Sequence, residues 1–301
     1  MNCPLCETSD IKVIEKVDKK YLNSLYMKMT NTDFLYLLKK DMLFCECKNC
    51  YLRYYDPIVT GDELFYNSLQ HFDWYYMDEK DEYQYAKNYI ALSDRVLEVG
   101  SGKGAFAKHI VCKDYVGLDF SENAKILAAE NGIKIENELI QDYSKTHKEE
   151  FDVVVSFQVL EHVPDPKQFI EAKLEALKKG GKLILAVPSE DSFLKYVENG
   201  ILNMPPHHVT RWSDKTFEFI AQQYELNILN IYHEKVQESH KHLYLYTLIS
   251  NSFQTNRVLN KSLYKKVINK LSWISAKFLL RGLEDEMLPN GHTVVVVFEK
   301  K

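Results

Sequence analysis

The 301-residue chain has no apolar run long enough to cross a bilayer, and its opening, Met1-Asn2-Cys3-Pro4-Leu5-Cys6, lacks the basic-then-apolar pattern of a secretory signal. Both absences lead us to expect a cytoplasmic protein with no membrane span. Positive charge is not in excess either: 38 Lys and Arg stand against 43 Asp and Glu, for a net charge of -5 and a pI near 6.1. Proteins that live on nucleic acid show the opposite balance, so RNA and DNA are disfavoured as partners. Internal repeats and low-complexity tracts are missing, and boundaries must be read from punctuation and hydrophobic period. Beyond residue 50 only Cys112 remains of the cysteines, and a lone cysteine reads as a small core residue.

The other five cysteines crowd the first fifty residues. In a reducing compartment such crowding favours metal ligation over disulfides. Cys3-x-x-Cys6 and Cys47-x-x-Cys50 are two knuckles, each able to give two thiolates to one tetrahedral zinc at ~2.3 Å, with Cys45 a spare thiol beside the second. Four thiolates close the shell against water. The zinc is therefore expected to be structural, folding residues 1–56 into a small ribbon-like domain. Asp56-Pro57 ends that segment, and residues 57–92, dense in aromatics, read as a helical bridge.

From residue 93 onward strands and helices alternate. Strands are predicted over 95–99, 115–119, 151–157, 182–187, 227–232 and 293–298. Ser121 caps a helix through Glu130. Asp165-Pro166 opens a helix that Gly180-Gly181 would end, and Ser213 caps another through Gln223. The continuous apolar run at 151–157 calls for helices on both faces of the sheet. The fold class is thus α/β, a Rossmann-like sheet in the span 93–301. A helical insertion over about 234–290 precedes the last strand. Its apolar stripe, Leu263, Val267, Ile268, Leu271, Ile274 and Phe278, is expected to pack on the host domain.

The turn after the first of these strands carries the chemistry. A dinucleotide fingerprint spaces its glycines G-x-G-x-x-G, so that a helix N-terminus meets a pyrophosphate. Here Gly100, Gly102 and Gly104 give G-x-G-x-G, and an acid, Glu98, stands two residues before the first. A carboxylate there repels a diphosphate and suits a ligand carrying an ammonium and a sulfonium. Asp119, ending the next strand, can accept hydrogen bonds from two ribose hydroxyls.

Val96-Leu97-Glu98-Val99-Gly100-Ser101-Gly102-Lys103-Gly104, Gly117-Leu118-Asp119, Phe151-Asp152-Val153-Val154 running into Leu160-Glu161-His162-Val163, and Leu177-Lys178-Lys179-Gly180-Gly181 follow one another in order. The chain in this stretch resembles the class I S-adenosylmethionine-dependent methyltransferases. The resemblance implies that Gly100 and Gly102 let the backbone approach the methionine end of S-adenosylmethionine. It also implies that Glu98 organises the turn, Asp119 holds the ribose, and Gln158 closes the methionine side. The usual acid that reaches the adenine does not align cleanly; Gln141 and Asp142 are its candidates.

Zinc knuckles ahead of such a core, with Phe72-Asp73-Trp74-Tyr75-Tyr76-Met77 and Pro205-Pro206-His207-His208-Val209-Thr210-Arg211-Trp212-Ser213, look like bacterial sugar and polysaccharide-cluster methyltransferases. That implies a small-molecule acceptor, a sugar or nucleotide sugar. His208 or His207 is the expected general base, in a loop at the carboxyl end of the sheet. Arg211 and Trp212 would shape the pocket, and Trp74, Tyr75 and Tyr76 are further candidates to touch the acceptor. His162 is expected to be structural or to lie on the cofactor side. Two other readings stay open: an RNA methyltransferase that grips its substrate through the zinc domain, and a non-catalytic partner protein that keeps the fold.

Overall fold

The computed structural model describes residues 1–69, 72, 78–251, 257–283 and 288–301. In chain order the first elements are β1 (Ile11–Val17), α1 (Lys19–Thr30), β2 (Met42–Cys47), β3 (Arg53–Asp56), α2 (Glu63–Leu69) and α3 (Asp81–Ala86). Then come β4 (Arg95–Val99), β5 (Asp114–Leu118), α4 (Glu122–Glu130), β6 (Ile135–Glu136), α5 (Ile140–Thr146), β7 (Phe151–Phe157), α6 (Pro166–Ala176) and β8 (Leu177–Pro188). The chain closes with β9 (Thr210–Arg211), α7 (Asp214–Gln223), β10 (Leu226–Lys235), α8 (Lys241–Asn251), α9 (Leu263–Leu279) and β11 (Asn290–Lys300).

Seven strands form the main sheet in the order β10-β11-β8-β7-β4-β5-β6. The strands from β4 to β8 run parallel, while β11 lies antiparallel between β8 and β10. This is the expected Rossmann-like α/β architecture. The central strands are buried on both faces: Val153, Val154 and Val155 of β7 are inaccessible, as are Leu183, Ile184 and Leu185 of β8. That is why their sequences read as unbroken apolar runs. Strand order reverses at β4, between β5 and β7, so the crevice at the carboxyl ends of β4 and β7 is the topological switch point where ligands bind in such sheets.

A second sheet, β1-β2-β3-β9, is antiparallel throughout. Three of its strands come from the cysteine-bearing segment. The fourth comes from the loop after β8, with Arg53 opposite Arg211 and Tyr54 opposite Thr210. The sequence-level border at residue 56 is therefore crossed by a strand pair. Packing crosses it too: Cys3, Leu5, Cys47, Cys50 and Leu52 share one core with Leu97, Val154, Leu185 and Trp212.

Two local expectations are corrected. The helix opened by Asp165-Pro166 ends at Ala176, not at Gly180-Gly181. Leu177 turns extended (φ -83°, ψ 132°) to pair with Phe151, and Gly180 (φ +73°) lies inside β8 at a register shift. Of the α9 stripe only Ile268 is buried, and its other five members do not pack on the host domain. Leu263, Val267, Leu271, Ile274 and Phe278 are exposed, whereas Lys265, Ile268, Ser272 and Ala276 form the buried face. The small residues let α9 lie close to α8, and the aliphatic stem of Lys265 is buried with its ammonium on the Ser250 carbonyl at 3.0 Å.

Candidate active site

The turn after β4 needs glycine for backbone reasons that the structure makes separable. Gly100 (φ +77°) sits so near Val159 that a Cβ there would fall 2.4 Å from its Cγ2. Gly102 (φ +51°) also holds a left-handed backbone, but a Cβ on it would meet no described atom within 4 Å. The first glycine is required by packing, while the second borders open space of the kind a ligand fills.

Glu98 and Asp119 flank this turn. Glu98 is buried and accepts a hydrogen bond from the Tyr115 hydroxyl, and its burial raises the carboxyl to about 8. Asp119 accepts from the Gly102 amide at 2.8 Å through one oxygen and from the Ser121 amide at 2.9 Å through the other. It thereby fixes the turn, and each oxygen keeps lone pairs for a diol. Asp119 beside a bare backbone turn, with Glu98 able to ionise when a cation is seated there, fits a cationic nucleoside better than a polyphosphate. Gln158 directly follows β7 in the left-handed region (φ +56°), a strained conformation of the sort held at functional sites. Its side-chain amide donates to Glu82 Oε1 and Thr293 Oγ1, both at 3.3 Å, which joins the carboxyl end of β7 to the amino-terminal part of the antiparallel β11.

Immediately after Gln158 and Val159 come Leu160, Glu161 and His162. This segment meets the loop carrying His207 and His208. The Val209 amide donates to the Glu161 carbonyl at 2.8 Å, and the Val209 carbonyl accepts from the Tyr55 amide of β3 at 3.2 Å. The rings of His207 and His208 stack at 4.4 Å, and His162 meets both edge-on at 4.7 and 4.8 Å. Burial lowers His162 to about 4 and His207 to about 3, and drives His208 well down as well, so all three imidazoles are neutral at physiological pH. Burial pushes the Glu161 carboxyl the other way, up to about 8.

Sequence reading placed His207 and His208 here but gave Glu161 no role and set His162 aside. The available signal was an acid-histidine pair directly after an apolar strand, at the carboxyl end of the sheet. Arg211 and Trp212 are where the sequence put them, but their side chains are spent on structure rather than on shaping a pocket. Arg211 donates to the Asn203 carbonyl and the Tyr55 hydroxyl, each at 2.8 Å. Its guanidinium also covers the Phe44 ring at 4.7 Å. Trp212 is fully buried, with its indole N–H on Thr210 Oγ1 at 2.9 Å and its ring stacked on Phe217. Trp74, Tyr75 and Tyr76 lie outside the described residues.

At the other sheet the four knuckle cysteines converge, and their sulfurs all lie within 4.8 Å of one another. Cys3 and Cys50 sulfurs are 3.4 Å apart, as are those of Cys6 and Cys47, and the Cys50 amide points at Cys47 Sγ. None is in a disulfide. A tetrahedron with bonds of ~2.3 Å has edges of about 3.8 Å, so the cluster has the size and donor chemistry of a four-thiolate zinc site. Cys45 is buried beside it but turned elsewhere, toward the Leu43 carbonyl.

Comparison with known proteins agrees with this geometry. Residues 71–231, just over half the chain, match the family described as "Methyltransferase domain". The ubiquinone biosynthesis O-methyltransferases of Salmonella newport and Salmonella typhimurium are each 29% identical to this chain over 146 residues. The match covers 40% of this chain and 60% of theirs, so the chain spans well under the full length of these relatives. A solved SAM-dependent methyltransferase from Archaeoglobus fulgidus superposes with a TM-score of 0.51 at 17% identity, covering 79% of this chain and all of that one. That likeness is one of fold.

Proposed function

This chain belongs to the methyltransferase domain family, and from that premise we propose that it transfers a methyl group from S-adenosylmethionine to a hydroxyl of a small-molecule acceptor. One observation carries the reading. The acid-flanked glycine turn and the histidine cluster meet at the switch point, joined by the single segment 158–162, with Val159 packed on Gly100. Glu98 and Asp119 oppose the cation and hold the ribose. Gly100 and Gly102 admit the methionine end, and Gln158, tied to Glu82 and Thr293, closes that side. When bound, S-adenosylmethionine supplies a methyl group already activated on a sulfonium, so the protein has mainly to position the acceptor and accept a proton.

His207 and His208 line the acceptor side. Glu161 is placed to take the proton that leaves the acceptor hydroxyl as its oxygen bonds to the methyl carbon, with His208 Nε2 positioned 3.9 Å from its Oε1. A cluster so rich in buried polar groups suits a hydroxylated acceptor, and the names of the Salmonella relatives specify O-methylation. With the sequence resemblance, this favours a sugar or nucleotide sugar of surface polysaccharide synthesis, handled in the cytoplasm. Cys3, Cys6, Cys47 and Cys50 hold a structural zinc in the same reading.

Isothermal titration with S-adenosylmethionine, followed by a methyl-transfer screen of nucleotide sugars, tests the proposal. Binding and transfer to one sugar are expected. A protein that ignores S-adenosylmethionine and takes up a nicotinamide or flavin compound instead would end it.

A further inference from the structure

His162, His207 and His208 converge, and their hydrogen bonds fix which nitrogen of each ring keeps a free lone pair. Nδ1 of His162 lies 2.7 Å from the His207 carbonyl, and Nδ1 of His207 lies 2.8 Å from the Leu202 carbonyl. Nδ1 of His208 lies 3.2 Å from Asn203 Oδ1. Each of these oxygens accepts, so each Nδ1 carries the hydrogen and each Nε2 keeps a lone pair. One nitrogen from each ring lies within 4.8 Å of the other two. Beside them is Glu161, 1% exposed, whose two carboxylate oxygens have no hydrogen-bond partner among the described residues. Its Oε1 is 3.7 Å from His162 Nε2 and 3.9 Å from His208 Nε2. Converging lone pairs next to a buried, unsatisfied acid make a site whose missing component is positive charge.

We propose that His162, His207 and His208 bind a divalent transition-metal ion through their Nε2 atoms, with Glu161 balancing its charge and a fourth position left open toward the acceptor. Imidazole donors select zinc and its first-row neighbours, whereas magnesium and calcium take all-oxygen sets. With bonds of ~2.1 Å the nitrogens close to about 3.4 Å from one another, an inward shift of under about an ångström per ring. The oxygens that hold the Nδ1 hydrogens are the outer partners that orient metal-bound histidines. An ion with an open position would polarise an acceptor hydroxyl beside the Glu161 carboxylate. Only that last role rests on the reading of the pocket as an acceptor site. Binding of the ion does not.

The test is a cobalt(II) titration of the whole protein, read by X-ray absorption and metal analysis. About two ions per chain are expected, one in a sulfur shell at the cysteines and one in a nitrogen and oxygen shell. His207→Ala should abolish the second shell. Glu161→Gln keeps the shape and all three imidazoles, so it guards against misfolding, and it should weaken the nitrogen site at least about tenfold. A single ion with a sulfur-only shell in the wild-type protein overturns the proposal, and so does undiminished affinity in Glu161→Gln. S-adenosylmethionine titration of the same samples is independent. Its failure would count against the methyltransferase reading and leave the ion site standing.

Discussion

Glu98 offers a quantitative test of the cofactor pocket through protons. Its carboxyl is raised to about 8 by burial, with the Tyr115 hydroxyl as the donor that offsets part of that cost. At pH 7 a group of this pKa is protonated in about nine of ten free chains. A cationic nucleoside seated on the turn two residues away favours the ionised form, so binding should expel the proton. The sign follows directly: ionised Glu98 binds, protonated Glu98 must first ionise. Release attributable to this group should be about 0.9 proton at pH 7, about 0.5 at pH 8 and about 0.1 at pH 9, and the apparent Kd should rise about tenfold from pH 9 to pH 7. Calorimetry in two buffers of different ionisation enthalpy counts the protons. The ligand's own amine titrates in this range, so the quantity to read is the difference between wild type and Glu98→Gln. Equal proton release from the two proteins at pH 7 would refute the argument.

Other expectations follow from single contacts. Cys47→Ser should remove the sulfur-bound zinc and lower stability by several kcal/mol, because metal binding and folding of such segments are linked; unchanged zinc content rules out the four-thiolate site. Gly100→Ala should destabilise the fold through its clash with Val159. Gly102→Ala should cost only about 1–2 kcal/mol of backbone strain while sharply weakening S-adenosylmethionine binding. Thermal melts and ligand titrations should separate the two, and a uniform effect would show that no ligand borders Gly102. His208→Ala should cut turnover about a hundredfold or more with nucleoside binding intact, and wild-type turnover would remove His208 from the mechanism. On α9, Leu271→Ser should change stability by less than about 0.5 kcal/mol and Ile268→Ala should cost about 2 kcal/mol or more; denaturant titrations giving the reverse would restore the stripe to the core.

The sheet was legible because its signals are local. A buried parallel strand such as β7 announces itself by an unbroken apolar run, and caps such as Ser121 and Asp165 announce helices by chemistry confined to one turn. The four-cysteine cluster was legible for the same reason, since a knuckle needs only two cysteines three residues apart. What sequence did not reveal depends on neighbours distant in the chain. β9 is two residues long and exists because β3 offers it an edge. Leu177 leaves its helix to pair with Phe151. All of the α9 stripe but Ile268 was misassigned because amphipathic period says which residues share a face and is silent on whether that face meets protein. Glu161 looked like one more motif acid, and only its placement beside His162 and His208, with no hydrogen-bond donor to its carboxylate among the described residues, distinguishes it.

The strand that Thr210 and Arg211 lend to the cysteine-bearing sheet follows His207 and His208 with only Val209 between, and Val209 itself is bonded to Glu161 on one side and to Tyr55 on the other. The N-terminal module is thus a jig for the histidine-bearing loop rather than an accessory hung on a finished domain. Chimeras cut at residue 56 would orphan that loop, whereas exchanging the module together with residues 205–212 would transplant a matched pair.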